Sequence, residues 1–462
     1  MIYAIVLAIV VGTLCLVTII KTRSVKNQAD FLVAGRKLPW PVLVFTLLSS
    51  WIGAGSLFAG GENAYKNGFA ALWQPAGGWV GLIVIALIAG RARRFAQFTV
   101  PDLLETRYNA IARVMGTIAI VISYTVIASY QFKGGGDILH LIFPDSISRD
   151  QGMCIIAAFV IVFTAAAGMA SIAYLDLVIG ALVTTIVVIA IPLLLNKAGG
   201  WDHVRSVLPP THFQVLGNIS IWEAFNYMIP TMLLLIGNQG MYQKFFSARS
   251  EKDAKYAVYG WIVGTLLLET LLVTMAVLGS SLFQTEHPRE IIPITAFKGL
   301  PSLVGAVLLG GVFAKVISTA NNYLFSPSTN LIHDVYGRFM NPHASERRKL
   351  VMSRVIVLLL GLFALLQATR FESILNAAVY AYTVYGAAVT PAVMAVFFWK
   401  RATTAGAITS IVLGAGITVG LNLAGYELAI YPALGASVIS LVVVSLLTAA
   451  PPTEKWKPFF ES

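Results

Sequence analysis

Apolar runs of about 20 residues, separated by short polar gaps, recur along the whole chain. They predict roughly thirteen membrane-spanning helices, near 2–20, 41–64, 70–90, 112–140, 152–170, 173–195, 220–242, 257–282, 303–332, 351–369, 373–398, 404–424 and 429–449. Soluble helical proteins rarely show such a series, so the expected fold is an all-α polytopic bundle. No gap is long or polar enough to separate a second domain, and no low-complexity tract interrupts the pattern. The chain closes on "PPTEKWKPFFES" (451–462), a short tail.

Composition agrees with the bilayer as solvent. Of 462 residues, 57% are hydrophobic and 11% charged, against about 25% charged in soluble domains. A net charge of +11 could suggest a nucleic-acid partner. The basic residues, however, sit in the gaps between apolar runs, which is a topology signal. With an odd number of spans and the N-terminus outside, the inner loops carry 23 of the 32 Lys and Arg, and the outer segments 7. The inner set includes the cluster Lys244, Arg249, Lys252 and Lys255. Lys133 and Lys315 remain, both within spans. This asymmetry places the protein in the plasma membrane (an inner membrane in a two-membrane cell), N-terminus outside and C-terminus cytoplasmic. The first run lacks a basic start and a small-residue cleavage site, so it reads as a retained span. Cys15 and Cys154 lie in apolar runs without metal or redox spacing and read as packing residues.

Two spans contain features that a simple lipid-facing helix does not need. "FTLLSSWIGAGSLFAGGENAYKNGFAALW" (Phe45 to Trp73) is interrupted by Gly53, Gly55, Gly60 and Gly61, with Ser49, Ser50 and Ser56 among them. Glycines at this density weaken a helix. Freed carbonyls in a membrane must then find a partner, in transporters often a cation or solute. Close helix packing through small residues is the competing explanation. In "LLGGVFAKVISTANNYL" (Leu308 to Leu324), Lys315 stands in hydrocarbon, three residues before Ser318 and Thr319.

Five separated stretches, in order, make the chain resemble the solute:sodium symporter family. They are "DFLVAGRKLPWP" leading into "SSWIGAGSLFAGGENAYKNG", "GMASIAYLDLVIG", "GNQGMYQKFFSARSEKDA", "VISTANNYLFSPSTNLIHDVYGRF" and "TPAVMAVFFWKRATTAGAITS". The resemblance implies an inverted-repeat amino-acid-transporter fold, with the first and sixth core helices broken. Residues 1–40 would form an extra helix and inner loop, 41–195 the first five-helix repeat, and 196–369 the second, its spans starting at 220. Two additional helices would occupy 370–450, before the cytoplasmic tail. It also implies sodium-coupled symport of a small organic solute by alternating access, with the lipid bilayer and the solute as partners and no obligate protein partner.

The resemblance assigns a sodium site to backbone oxygens of Ser49 and Ile52 and to Lys315, Ser318 and Thr319, with Asp176 on the cation path. Asp176 could equally be a helix-end carboxylate at the membrane surface. Relatives commonly carry a small residue where this chain has Lys315. Its amine either replaces sodium, making proton-coupled or sodium-independent transport an alternative, or points elsewhere and pairs with an acid such as Asp176. Solute contacts are expected from Ser50, Trp51, Gly53, Gly55, Trp73, Gln74, Tyr130, Lys133, Asn238 and Gln239. Gln131 is a further hydrogen-bonding candidate beside Tyr130.

Lys133 and Asp137, four residues apart on one helical face, either pair with each other or leave Lys133 for a solute carboxylate. The first core helix looks most like the choline-transporting branch, including Trp51. The tryptophan that branch carries near the sixth helix falls at Asn238, and two buried lysines oppose a cation, so a small anion or zwitterion is expected. Glu269, alone in "LLLETLL", reads as a packing acid or a proton site. A non-transporting membrane solute sensor is the second functional class. An enzyme is not expected, since metalloprotease, nucleophile-elbow and clustered His/Asp patterns are missing from the sequence, and no P-loop marks a primary pump.

Overall fold

The computed structural model describes residues 1–22, 33–95, 99–166 and 169–460. Arg23 and Lys26, counted with the first inner loop, lie outside these, as do the first residues of "DFLVAGRKLPWP". Every named element among the described residues is helical. In chain order the helices are α1 (Ile2–Thr22), α2 (Trp40–Trp51), α3 (Gly60–Asn67), α4 (Trp73–Phe95), α5 (Val100–Arg107) and α6 (Ala110–Ile142). There follow α7 (Arg149–Ala166), α8 (Met169–Lys197), α9 (Gly200–Val207), α10 (Ile221–Gly237), α11 (Gln239–Ser247) and α12 (Glu251–Leu282). The last are α13 (Ser302–Asn330), α14 (Glu346–Ala368), α15 (Ile374–Phe398), α16 (Thr404–Leu423), α17 (Ile430–Leu447) and α18 (Thr453–Phe460).

Polar caps start the helices where the apolar runs begin. Ser220 accepts from Glu223 N at 3.2 Å while the Glu223 carboxylate accepts from Ser220 N at 2.8 Å, a reciprocal box that opens α10. Asn109 caps α6 through Ala112 N (3.0 Å) and Ser250 caps α12 through Asp253 N (3.1 Å). Ten helices among the described residues are long and apolar enough to cross a membrane. The expected count of thirteen is not established by this criterion. The shortfall falls on the N-terminal helix and on the two spans that are interrupted.

Both interruptions are where the glycines predicted them. The first span stops at Trp51, passes through Ile52 in extended conformation (φ −86°, ψ 97°) and resumes as a wide turn over Gly55–Ala59 into α3. The sixth breaks at Asn238 (φ −56°, ψ 112°), between α10 and α11. Around them, α2 packs against α8 and α12, α6 against α13 and α15, and α10 against α4 and α15. α15 has most of its span buried and packs against α6 and α10. The tail is an ordered helix whose Phe459 is buried with its ring centroid 6.1 Å from that of Phe397.

Candidate functional site

At the first break, backbone oxygens that would have continued the α2 ladder turn toward α13. The approach is close enough that a Cβ on Gly53 would lie 2.6 Å from the Thr319 side chain, so only glycine fits there. Thr319 Oγ1 donates to Ser49 O at 3.3 Å. Asp176 on α8 is fully buried, which removes the surface helix-end alternative. Its two oxygens accept from Thr46 Oγ1 (2.6 Å) and from Ser318 Oγ, joining α2, α8 and α13. Ser49 Oγ is buried without a hydrogen-bond partner among the described residues. This is an oxygen-only donor set with one carboxylate and an orphaned hydroxyl, the chemistry that suits a hard cation. Ser49, Ile52, Ser318, Thr319 and Asp176 are thus brought together.

The lysines are not arranged as the sequence suggested. Lys315 is fully buried, yet its Nζ has no hydrogen-bond partner among the described residues. It neither donates to the expected oxygens of Ser49, Ile52, Ser318 and Thr319 nor bonds Asp176, whose oxygens hold the two hydroxyls. Asp176 and Lys244 are the charges that act on it. The ammonium that does grip the broken helix is that of Lys244, which the hydropathy pattern assigned to an inner loop. Lys244 is fully buried on α11, nearly two turns past the Asn238 break. Its Nζ donates to Thr46 O (3.1 Å), to Ser50 Oγ and to Asn322 Oδ1 (3.2 Å). The apolar neighbours Phe245 and Phe246, both fully buried, were the sequence signal that this segment stays within the packed core.

Beside the break lies a cavity walled by Trp51, Ser56, Gln74, Thr231, Glu269 and Tyr382. Its free space is about 20 Å³, room for roughly one water and not for an organic solute. The walls must therefore part for a solute to enter. Glu269 is a wall residue, not a lipid-hidden packing acid. It accepts from Trp51 Nε1 (2.9 Å), Ser56 Oγ (3.3 Å) and Trp79 Nε1 (3.1 Å). Tyr130 OH meets Tyr382 OH at 3.3 Å. Gln131 accepts from Ala54 N at 2.8 Å and so holds the broken segment in place.

Other expected solute residues are occupied elsewhere. Lys133 donates to Phe371 O at 2.5 Å, and Asp137 pairs with Arg289 (2.7 Å), with Arg149 at 3.6 Å. The Lys133–Asp137 pair expected from their spacing does not form, because both side chains find partners on other elements. Trp73 donates to Val215 O at 2.9 Å and faces a separate groove with Phe69 and Phe213. Asn238 accepts from Tyr124 OH (2.8 Å) and donates to Tyr323 OH (3.2 Å). Gln239 N donates to Tyr385 OH (3.0 Å), and its side-chain oxygen accepts from Val100 N. Tyr385 OH in turn donates to Gly237 O at 2.6 Å. These tyrosines satisfy the backbone and side chains at the second break, and Asn238 lines a small cavity together with Lys244.

Residues 31–414 match the sodium:solute symporter family. A high-affinity proline transporter, PutP, of Bacillus subtilis is 23% identical over 457 residues, covering 93% of this chain and 94% of that protein. A sodium/proline symporter of Escherichia coli is 24% identical over 480 residues, covering 97% and 93%. In fold the chain is similar to a Na⁺-coupled sialic acid symporter in its substrate-bound outward-open state, with TM-score 0.82, 16% identity and coverage of 97% and 98%. It is also similar to a nucleobase-cation-symport-1 family transporter in a closed conformation, with TM-score 0.62, 13% identity and coverage of 94% and 99%.

Proposed function

The chain belongs to the sodium:solute symporter family, a sodium-coupled secondary transporter of a small solute, and we propose that its solute is a small zwitterion of the amino-acid kind. The solute would sit between α2–α3, α4, α12 and α15, in the cavity walled by Trp51, Gln74, Glu269 and Tyr382. The positive end of the half-helix that restarts at Gly55 would face its carboxylate. Lys133, bound to Phe371 O, is not needed for that role. Relatives named as proline transporters support this class of solute. The coupling ion would lie at the α2 break, among the backbone oxygens of Ser49, Ile52 and Lys315 and the side chains of Ser318, Thr319 and Asp176. The observation that carries this is Asp176, fully buried and held by Thr46 on α2 and Ser318 on α13. A Lys and Arg tally of 23 inside to 7 outside supports a plasma-membrane orientation with the N-terminus outside, the burial of Lys244 lowering the inner count by only one.

A second reading has specific support. The Lys244 ammonium already sits on Thr46 O, Ser50 and Asn322 at the broken helix, and a second buried ammonium, Lys315, lies on α13. A tethered cation there would make transport proton-coupled or sodium-independent. The test is counterflow of labelled L-proline in proteoliposomes, with sodium or potassium as the only cation. Sodium-stimulated counterflow supports symport. Equal counterflow in both salts supports the tethered-cation reading. Binding of proline with no counterflow in either salt supports the non-transporting sensor.

A further inference from the structure

We propose that Glu269 is the counter-ion for a positively charged nitrogen of the solute, so that the cavity selects amine-bearing molecules. This rests on the reading of that cavity as the solute site. Glu269 is buried, and its partners are all neutral donors: two indole N–H groups from Trp51 and Trp79 and the hydroxyl of Ser56. An ionised carboxylate offers about four acceptor positions, and three are used. No basic side chain pairs with it among the described residues. The three donors orient the carboxylate and leave its net charge uncompensated inside the bilayer, where an unpaired charge is strongly unfavourable.

A second acceptor faces the same space. Gln74, on α4, lines the cavity and is buried, and its Oε1 has no hydrogen-bond partner among the described residues. Trp51 and Tyr382 complete the wall, and aromatic faces attract cations. The cavity therefore presents a carboxyl group without a basic partner among the described residues, an unsatisfied acceptor and two aromatic rings. A protonated amine matches all of these: its charge neutralises Glu269 and its N–H groups fill the open acceptor positions. A simple carboxylic acid matches none of them. The two indole donors have a further consequence. A nitrogen bound at Glu269 alters the environment of Trp51 and Trp79 directly, so occupancy is readable by fluorescence.

The experiment uses the full chain in lipid nanodiscs. Tryptophan fluorescence and thermal shift are measured against L-proline, prolinamide, N-acetyl-L-proline and propionate, for wild type, Glu269→Gln and Glu269→Asp. Glutamine keeps an acceptor for the indoles and removes the charge, so it tests recognition with least harm to folding. Wild type is expected to bind L-proline or prolinamide and not N-acetyl-L-proline or propionate. Glu269→Gln is expected to weaken the amine-bearing probe by roughly tenfold or more, and Glu269→Asp to recover part of the loss. If N-acetyl-L-proline binds wild type as well as L-proline, or if Glu269→Gln binds L-proline as wild type does, the role of Glu269 is overturned while the transporter reading stands. If Glu269→Gln fails to fold, the wild-type comparison of capped and free amine decides alone. If no probe binds wild type, both the counter-ion role and the zwitterion reading fall.

Discussion

Replacing Lys315 by methionine is expected to stabilise the protein and to strengthen its response to sodium. Lys315 is fully buried on α13 and its Nζ lacks a hydrogen-bond partner among the described residues. Lys244 is bonded to three oxygens, and Asp176, whose oxygens hold Thr46 and Ser318, pairs with neither ammonium among the described residues. Methionine follows the lysine stem, one atom shorter, and removes the charge. Two unit charges at roughly 5 Å with an effective dielectric near 20 repel by about 3 kcal/mol. A sodium ion at the α2 break would meet this repulsion from a charged Lys315. Its removal should tighten sodium binding by about a hundredfold. The unpaired ammonium also opposes folding, so stability should rise even without sodium. The assay is thermal unfolding of the purified protein across a NaCl titration, with KCl holding ionic strength constant. The variant should melt higher in KCl and reach its sodium plateau at far lower concentration than wild type. The reasoning is refuted if Lys315→Met melts lower than wild type and its sodium midpoint is unchanged.

Lys244→Met should do the reverse, losing about 3 kcal/mol, because it strips three hydrogen bonds and leaves buried acceptors on Thr46, Ser50 and Asn322 unpaired; its melting temperature beside that of Lys315→Met makes the comparison. Asp176→Asn should remove the sodium dependence of the initial uptake rate, since the amide cannot supply the negative charge that Thr46 and Ser318 orient. Gln131→Ala should destabilise by about 1–3 kcal/mol by leaving Ala54 N unpaired at the break, read as a lower melting temperature with solute affinity falling in parallel. Gly53→Ala should slow transport sharply while the protein still inserts, because its Cβ would meet Thr319 at 2.6 Å; uptake per molecule at the membrane measures it.

The polytopic helical fold, the break in the first core span and the hydroxyl pair of α13 could all be read along the chain. The reason is that hydropathy and helix-weakening glycines are local properties: a run of apolar residues has to span, and Gly53 and Gly55 release the ladder wherever the helix is placed. The convergence of Ser49, Ser318, Thr319 and Asp176 was legible only through the likeness to a family whose packing is shared. What the tertiary structure alone decided is which charge meets which oxygen. Lys244 follows a glycine-flanked break and a tyrosine, so its hydropathy resembles a loop, and only the packing of α11 against α2 and α13 turns its ammonium inward. Lys133 and Asp137 share a helical face, yet Phe371 O and Arg289 approach from other segments and separate them. Glu269 carries no local sign of its role either, because the indoles that orient it come from positions 51 and 79, on α2 and α4. Periodicity encodes which side of a helix is buried; the partner waiting there is set by elements hundreds of residues away, and for a buried charge that partner determines the chemistry.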